Sequence, residues 1–318
     1  MRLSDGMDFA HVEAFVAVVE SGGFTRAAAA LHLSQPALSR RIALLEHEVG
    51  QSLFERGRSG ARLTDAGHAL LPHAQAAIAC VRDGVDAVRA LAVGDAGRLT
   101  LAIVGTLASS GLAARLARFR DAHPRLQLLL RTGSSVEVSG LVRRGEATLG
   151  LRYFGDPAPD LVSRDVGHEP LVVVAASGHR LARARRIPAQ RLAGEAWVGF
   201  PARRGTVPDP FGTVFARRLA AAGLDDADVV VIDSLTAQKR LVESGFGLGL
   251  VPVTSVAEEI ARGSLCTLDV PELRAQVDVA LIHRRRAVLG PAARRLADAL
   301  VDAARPRRAA MASPRRVR

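Results

Sequence analysis

Between Leu71 and Ala92 the residues Leu71, Ala74, Ile78, Val81, Val85, Val88 and Ala92 follow one another at alternating steps of three and four. This seven-residue beat belongs to a helix with one narrow apolar seam, and such a seam is buried by pairing with another helix. A helix from Thr64 to about Leu91 is roughly 40 Å long at 1.5 Å per residue. Gly67, Pro72 and Gly84 weaken it, and Pro72 predicts a kink. The alternative reading is a helix packed on its own domain. In either case a rod separates residues 1–66 from residues 98–304, with "VGDAG" (93–97) as a hinge. The two sides carry different periods.

The first side is helical. Phe9, Val12, Phe15, Val16 and Val19 form one helix face, and "SGGF" (21–24) ends that helix. Thr25 is placed to cap a second short helix, 26–33, whose alanines let another helix approach closely. His32-Leu33-Ser34 leads into a third helix, with Ser34 as N-cap and Pro36 in the first turn, where proline is tolerated. Leu38, Ile42, Leu45 and Val49 make its apolar stripe, and Gln35, Ser39 and Arg40 lie off that stripe. Two short helices joined this tightly, the second with a polar start, form a helix-turn-helix. In that motif the start of the second helix enters the DNA major groove. Its free N–H groups favour a phosphate, Gln35 suits an adenine edge, and Arg40 suits a guanine edge or a phosphate. A solvated polar face is the bland alternative.

The segment "LFERGRSGARLTDAG" (53–67) comes next, with "GRSG" (57–60) as a turn between two extended pieces. It reads as a wing carrying Arg56, Arg58 and Arg62, suited to tracking a DNA backbone or minor groove. Net charge does not carry this reading. The chain has formal charge +11, but six arginines lie between Arg305 and Arg318, and residues 1–66 hold seven arginines against eight acids. Only the location of the arginines matters. The tail 305–318 reads as a solvated, disordered end.

After residue 98 strands alternate with helices. Strands are expected at 98–104, 126–131, 147–152, 170–176, 196–200, 229–233 and 247–252, with a return at 276–283. Helices are expected at 110–123, 138–145 (the end of one), 213–222, 235–244 and 290–304. Such alternation predicts a parallel sheet with helices on both faces, here in two lobes around a cleft. Ligands in such sheets bind beyond the strand ends, near helix N-termini. The loops reaching that place supply Thr106, Ser109, Thr132, Ser134, Arg152, Phe200, Arg203 and Thr236. Hydroxyls, free N–H groups and arginines suit a small anion such as a carboxylate. For each Ser or Thr, helix capping alone is the competing explanation.

The stretch "FVAVVESGGFTRAAAALHLSQPALSRRIALLEHEVGQSLFERGRSGARLTDAG" (15–67) resembles the LysR-type transcriptional regulators. "LVRRGEATLGL" (141–151) and "DSLTAQKRLVESGFGLGLVP" (233–252) resemble the effector domain of the same family, so the likeness runs to about residue 304. It implies an N-terminal winged helix-turn-helix domain, a long linker helix, and an α/β two-lobed, periplasmic-binding-protein-like effector domain. It implies that Gln35, Pro36, Ser39 and Arg40 meet DNA in the major groove, supported by Thr25, Ser34 and Arg56. It also implies homodimers paired through the linker helix, tetramers, binding near a promoter, contact with RNA polymerase, and activation or repression of a neighbouring gene. One departure is Thr148, where many relatives carry an acid.

Other chemistry is not supported. "GFGLGL" (245–250) lacks dinucleotide-binding spacing, and there is no P-loop or G-x-S-x-G motif. Cys80 and Cys266 lie far apart without metal-like spacing and read as reduced thiols, so no disulfide, metal or cofactor is expected. The N-terminus does not read as a secretory signal, no apolar run is long enough for a membrane span, and a cytoplasmic setting is expected. The expectation is a sequence-specific, ligand-responsive DNA binder that is not an enzyme. Its rivals are a transporter-type solute-binding protein, an enzyme on a two-lobed scaffold, and a sequence-blind DNA binder with a steep salt dependence.

Overall fold

The first helix, α1 (Phe9–Ser21), begins where Asp8 accepts the Ala10 N–H at 3.0 Å and ends where Gly22 turns left-handed at φ 64°. It opens a computed structural model that describes residues 8–55, 61–93, 97–204 and 207–302. The chain forms two units, the first built on the residues up to Val88 and the second on most of the residues from Arg89 onward.

In the first unit, α2 (Phe24–Ala30) is shorter than expected and starts earlier. Gly23 stands at its cap position with no side-chain hydrogen bond, so Thr25 is not the cap. Thr25 falls inside the first turn, and its hydroxyl donates to Gln35 Oε1 at 3.4 Å. His32 adopts a left-handed conformation (φ 55°) in the turn after α2. Helix α3 (Gln35–Val49) matches its expectation: Ser34 Oγ accepts the Ala37 N–H at 3.3 Å and Pro36 sits in the first turn. Leu38, Ile42 and Leu45 are buried, and Val49 packs beside them. Around them Phe54 meets Phe15 at 5.5 Å and Phe24 at 5.4 Å between ring centroids.

Glu46 fixes the chain after α3: its Oε1 accepts the N–H groups of Leu53 and Phe54 at 2.7 and 3.2 Å. Phe54 and Leu63 then form an antiparallel bridge, flanked by Glu55 N donating to Arg62 O at 2.8 Å and Thr64 N to Leu53 O at 3.0 Å. This is the base of the expected wing. Arg56, Arg58 and the "GRSG" tip lie outside the described residues, as does the tail 305–318.

Helix α4 (Asp65–Val93) has 29 residues and continues through Pro72. A Cβ on Gly67 would lie 2.3 Å from Leu53 O, so only glycine fits where α4 passes the end of the wing. The seam divides in two. Leu71, Ala74 and Ile78 pack into the core of the first unit, while Val81, Val85 and Val88 remain exposed.

The second unit begins with β1 (Gly97–Val104), α5 (Ser110–Ala122), β2 (Leu126–Gly133), α6 (Ser135–Arg143) and β3 (Leu149–Tyr153). Strand β1 lies between β2 and β3, parallel to both. Strand β4 (Leu161–Ala176) is 16 residues long. The strand expected at 170–176 is only its last part. Next come β5 (Trp197–Gly199), β6 (Arg203–Arg204), β7 (Val207–Pro208), α7 (Pro210–Ala221), β8 (Val229–Val231) and α8 (Leu235–Glu243). The chain closes with β9 (Gly249–Pro252), α9 (Ala257–Arg262), β10 (Leu265–Leu268), β11 (Ala275–Arg284) and α10 (Pro291–Asp302).

The main sheet has the order β10-β4-β11-β3-β1-β2, with β9 also paired to β4. It is mixed, which corrects the expectation of a parallel sheet. β11 runs antiparallel to β3 and β4, and β9 and β10 run antiparallel to β4. The late return to the first lobe is therefore real, as β11 against β3. Strand β4 serves both lobes: Leu161–Leu171 pairs with β11, and Leu171–Ala176 pairs with β9 and β10. In the second lobe β5 and β8 are parallel, and Trp197 is fully buried with Phe215 edge-on at 6.1 Å. Among the described residues no helix is long and apolar enough to cross a membrane.

Candidate functional site

Two surfaces collect the residues singled out in the sequence. The first is the start of α3. Burial of Leu38, Ile42 and Leu45 turns the other side of the helix outward, so Ser34, Gln35, Pro36, Ser39 and Arg40 are all exposed. Thr25 is exposed beside them and is tied to Gln35 by the 3.4 Å hydrogen bond. Ser34 uses its hydroxyl on the Ala37 N–H of the first turn, and Pro36 beside it has no N–H to satisfy. A polar, partly cationic helix start supported by a neighbouring helix can enter a major groove and meet base edges and phosphates.

The second surface is a cavity of about 170 Å³ in the second unit, at the carboxyl ends of β1, β2, β5 and β8. Thr106, Thr132 and Ser134 line it from the first lobe, and Phe200, Phe211 and Asp233 line it from the second. The hydroxyl of Thr106 donates to that of Tyr153 at 2.8 Å. Tyr153 is fully buried, and burial pushes its phenol pKa well up, so it stays protonated. Its ring stacks on Phe211 at 5.0 Å, and Phe211 meets Phe200 edge-on at 5.7 Å. An aromatic run thus connects β3 of one lobe with α7 of the other.

Two of the helix starts at this cavity, those of α6 and α7, carry a carboxylate of the protein itself. At α6, Glu137 Oε2 accepts the Ser134 N–H at 2.7 Å, and Ser134 Oγ accepts the Glu137 N–H at 3.3 Å, a reciprocal capping box. At α7, Asp209 Oδ1 accepts the N–H groups of Phe211 and Gly212, each at 3.1 Å. Asp209 also lines the cavity. Gly212 allows this fit, because a Cβ there would lie 2.1 Å from Pro201 O.

Residues 9–68 match the bacterial regulatory helix-turn-helix domain of the lysR family, and residues 92–305 match the LysR substrate binding domain. The chain belongs to the LysR family. This LysR-type regulator is 32% identical to the HTH-type transcriptional regulator TfdS of Cupriavidus pinatubonensis over 280 residues, covering 87% of this chain and 92% of that protein. It is 33% identical to the SDS degradation transcriptional activation protein of a Pseudomonas species, covering 93% and 96%. The crystal structure of CbnR, a LysR family transcriptional regulator, is similar with a TM-score of 0.64 at 25% identity, covering 94% and 99%. The protein is a DNA-binding transcriptional regulator with an effector-binding domain.

Of the residues expected at the effector site of this LysR-type regulator, Thr106, Thr132, Ser134 and Phe200 line the cavity. Four others do not. Ser109 caps α5, accepting the Leu112 N–H at 3.5 Å, and faces a different cavity. Thr236 is exposed within α8, whose cap is Ser234. Arg203 is exposed on β6. Arg152 is buried, donates to Ser139 Oγ at 2.9 Å and forms a short ion pair with Asp156. The expected anion therefore lacks its expected arginines: none lines the cavity among the described residues, and carboxylates occupy the α6 and α7 helix starts. Asp209 and Phe211 are missing from the sequence expectation, which starts α7 three residues late. Their signal is "DP" (209–210), an N-cap followed by a first-turn proline.

Proposed function

We propose that this regulator reads a partly palindromic operator with the exposed start of α3 and changes its DNA-bound arrangement when a small metabolite enters the cavity between the lobes. The observation that carries the reading is the exposure of Gln35, Ser39 and Arg40 on α3 while Leu38, Ile42 and Leu45 anchor its other side. Gln35 and Arg40 read base edges in the major groove, with Pro36 and Ser39 beside them. Thr25, Ser34, Arg56 and Arg58 hold the backbone. Residues 1–66 are the reading head, 67–97 the linker helix and hinge, 98–304 the effector module, and 305–318 a basic tail.

Two heads are paired in a homodimer through the exposed Val81, Val85 and Val88 of α4, and dimers assemble into tetramers that meet RNA polymerase at a promoter. The protein works in the cytoplasm and acts by binding, not by catalysis. The metabolite is hydrogen-bonded by Thr106, Thr132 and Ser134 against Phe200 and Phe211. The carboxylates of Asp209 and Asp233 in the same lining favour a molecule with hydrogen-bond donors over a small anion. Closure of the lobes around it shifts the population between two head spacings.

The test is a selection of genomic fragments by the full chain at physiological salt, with and without pooled small metabolites. A partly palindromic site whose footprint changes with one pool supports the reading. Enrichment of no sequence at any salt concentration refutes it.

A further inference from the structure

A second cavity, of about 180 Å³, lies in the same unit and shares no lining residue with the first. It has room for on the order of six waters. A fault in the sheet lies in its wall. Between β4 and β11 the register shifts, Val279 facing Gly167 and Ala280 facing Asp165, so Val166 is an extra residue. Gly167 takes φ 119°, and its N–H turns to Asp165 Oδ1 at 2.8 Å. Bulges of this kind re-aim side chains next to sites.

The floor is aliphatic, with Leu112 from α5, Leu151 from β3, Val279 from β11 and Leu300 from α10. The rim is charged. Arg115 of α5 is half-buried and lines the cavity, and no hydrogen bond or ion pair joins it to a described residue. Glu169 of β4 lines it too, and its Oε2 accepts a short hydrogen bond from Thr254. Burial raises the Glu169 pKa, while the Thr254 hydrogen bond and the charge of Arg115 work against that rise, and no ion pair closes between Arg115 and Glu169. A half-buried guanidinium has five donors to satisfy, and a carboxylate matches their geometry.

We infer that this cavity binds a small aliphatic α-amino acid, with its carboxylate on Arg115, its ammonium on Glu169 and its side chain on the leucine and valine floor. A simple carboxylic acid would set a second carboxylate against Glu169. A simple amine would set a second cation beside Arg115. Only a zwitterion meets both ends with opposite charge while the aliphatic floor takes an apolar side chain. The site lies outside the cleft proposed above and does not depend on that reading.

The probes are L-leucine, 4-methylpentanoate, which lacks the ammonium, and isopentylamine, which lacks the carboxylate, titrated by calorimetry into the full chain. L-leucine is expected to bind more tightly than either by at least about tenfold, roughly 1.4 kcal/mol. Arg115→Met and Glu169→Gln are each expected to weaken L-leucine by a similar factor while retaining the wild-type melting profile. Glu169→Gln keeps an acceptor for Thr254, so it decides the matter if Arg115→Met fails to fold. 4-Methylpentanoate binding as tightly as L-leucine, no binding of L-leucine, or unchanged binding in Glu169→Gln would each overturn the inference.

Discussion

Thr106 and Tyr153 join hydroxyls at 2.8 Å behind the cleft, and both belong to the first lobe, while the Tyr153 ring stacks on Phe211 of the second at 5.0 Å. One buried phenol therefore holds a cleft hydroxyl in place and touches the opposite wall. Tyr153→Phe keeps the stack and strands the Thr106 hydroxyl. It is expected to cost about 1–3 kcal/mol in urea denaturation, and adding Thr106→Val should return part of that loss. Equal stability of Tyr153→Phe and wild type would show that Thr106 finds another partner.

Arg152, which the sequence places toward a ligand, is a structural cation. With Asp156 and Ser139 it ties the end of β3 to α6 and to the loop after β3. Arg152→Ala leaves the buried Asp156 carboxylate without this partner and is expected to cost about 3–5 kcal/mol. A thermal melt measures it; a loss below about 1 kcal/mol, typical of a surface pair, would contradict the assignment.

The chain has one lysine, Lys239, and its Nζ lies 2.8 Å from Glu259 Oε1, with Arg262 at 3.2 Å on the same oxygen. Burial alone would raise the Glu259 pKa. The Lys239 hydrogen bond and the two cations outweigh it and leave the pKa below the usual carboxylate range. A carboxylate depressed in the folded state contributes stability above its unfolded value, near 4.3, and loses it as pH falls through the folded value. Lys239→Met should therefore lower the melting temperature strongly at pH 7 and less toward pH 3. A deficit that stays constant with pH would remove Glu259 from the account.

For the reading head, Gln35→Ala or Arg40→Ala should each cost about 1–3 kcal/mol of discrimination between the selected operator and random DNA. Competition binding at fixed salt measures this. An equal loss on both DNAs would assign the residue to the backbone.

On α4 the seam is spent inside the first unit as far as Ile78 and is exposed at Val81, Val85 and Val88. Val81→Asp should break the proposed homodimer without unfolding the head. Sedimentation showing an unchanged oligomer would move the interface elsewhere.

Much of the first unit is legible in the sequence because its signals are local. The stripe Leu38–Ile42–Leu45, the Ser34 cap and Pro36 each act within one helix, so spacing alone sets α3 and its outward face. The same holds for α4, but the spacing is silent on its partner. Whether Leu71 and Val81 face the same neighbour depends on which helices fold back, and the core of the first unit takes only the earlier part.

In the second unit the sequence by itself determined the alternation of strands and helices and the strand-end segments bearing Thr106, Thr132 and Ser134. The first half of β4 escapes it because Ser163, Arg164, Asp165 and His168 read as surface; an antiparallel strand with a solvated side needs only every second residue to be apolar. Tertiary structure alone decided that Arg152 turns into the protein toward Asp156, and that Glu137 and Asp209 cap the helices at the cleft. A side chain's charge is written in the sequence. The partner that neutralises it comes from chain folding, which brings distant or differently angled segments within hydrogen-bond reach, and no periodicity encodes that distance.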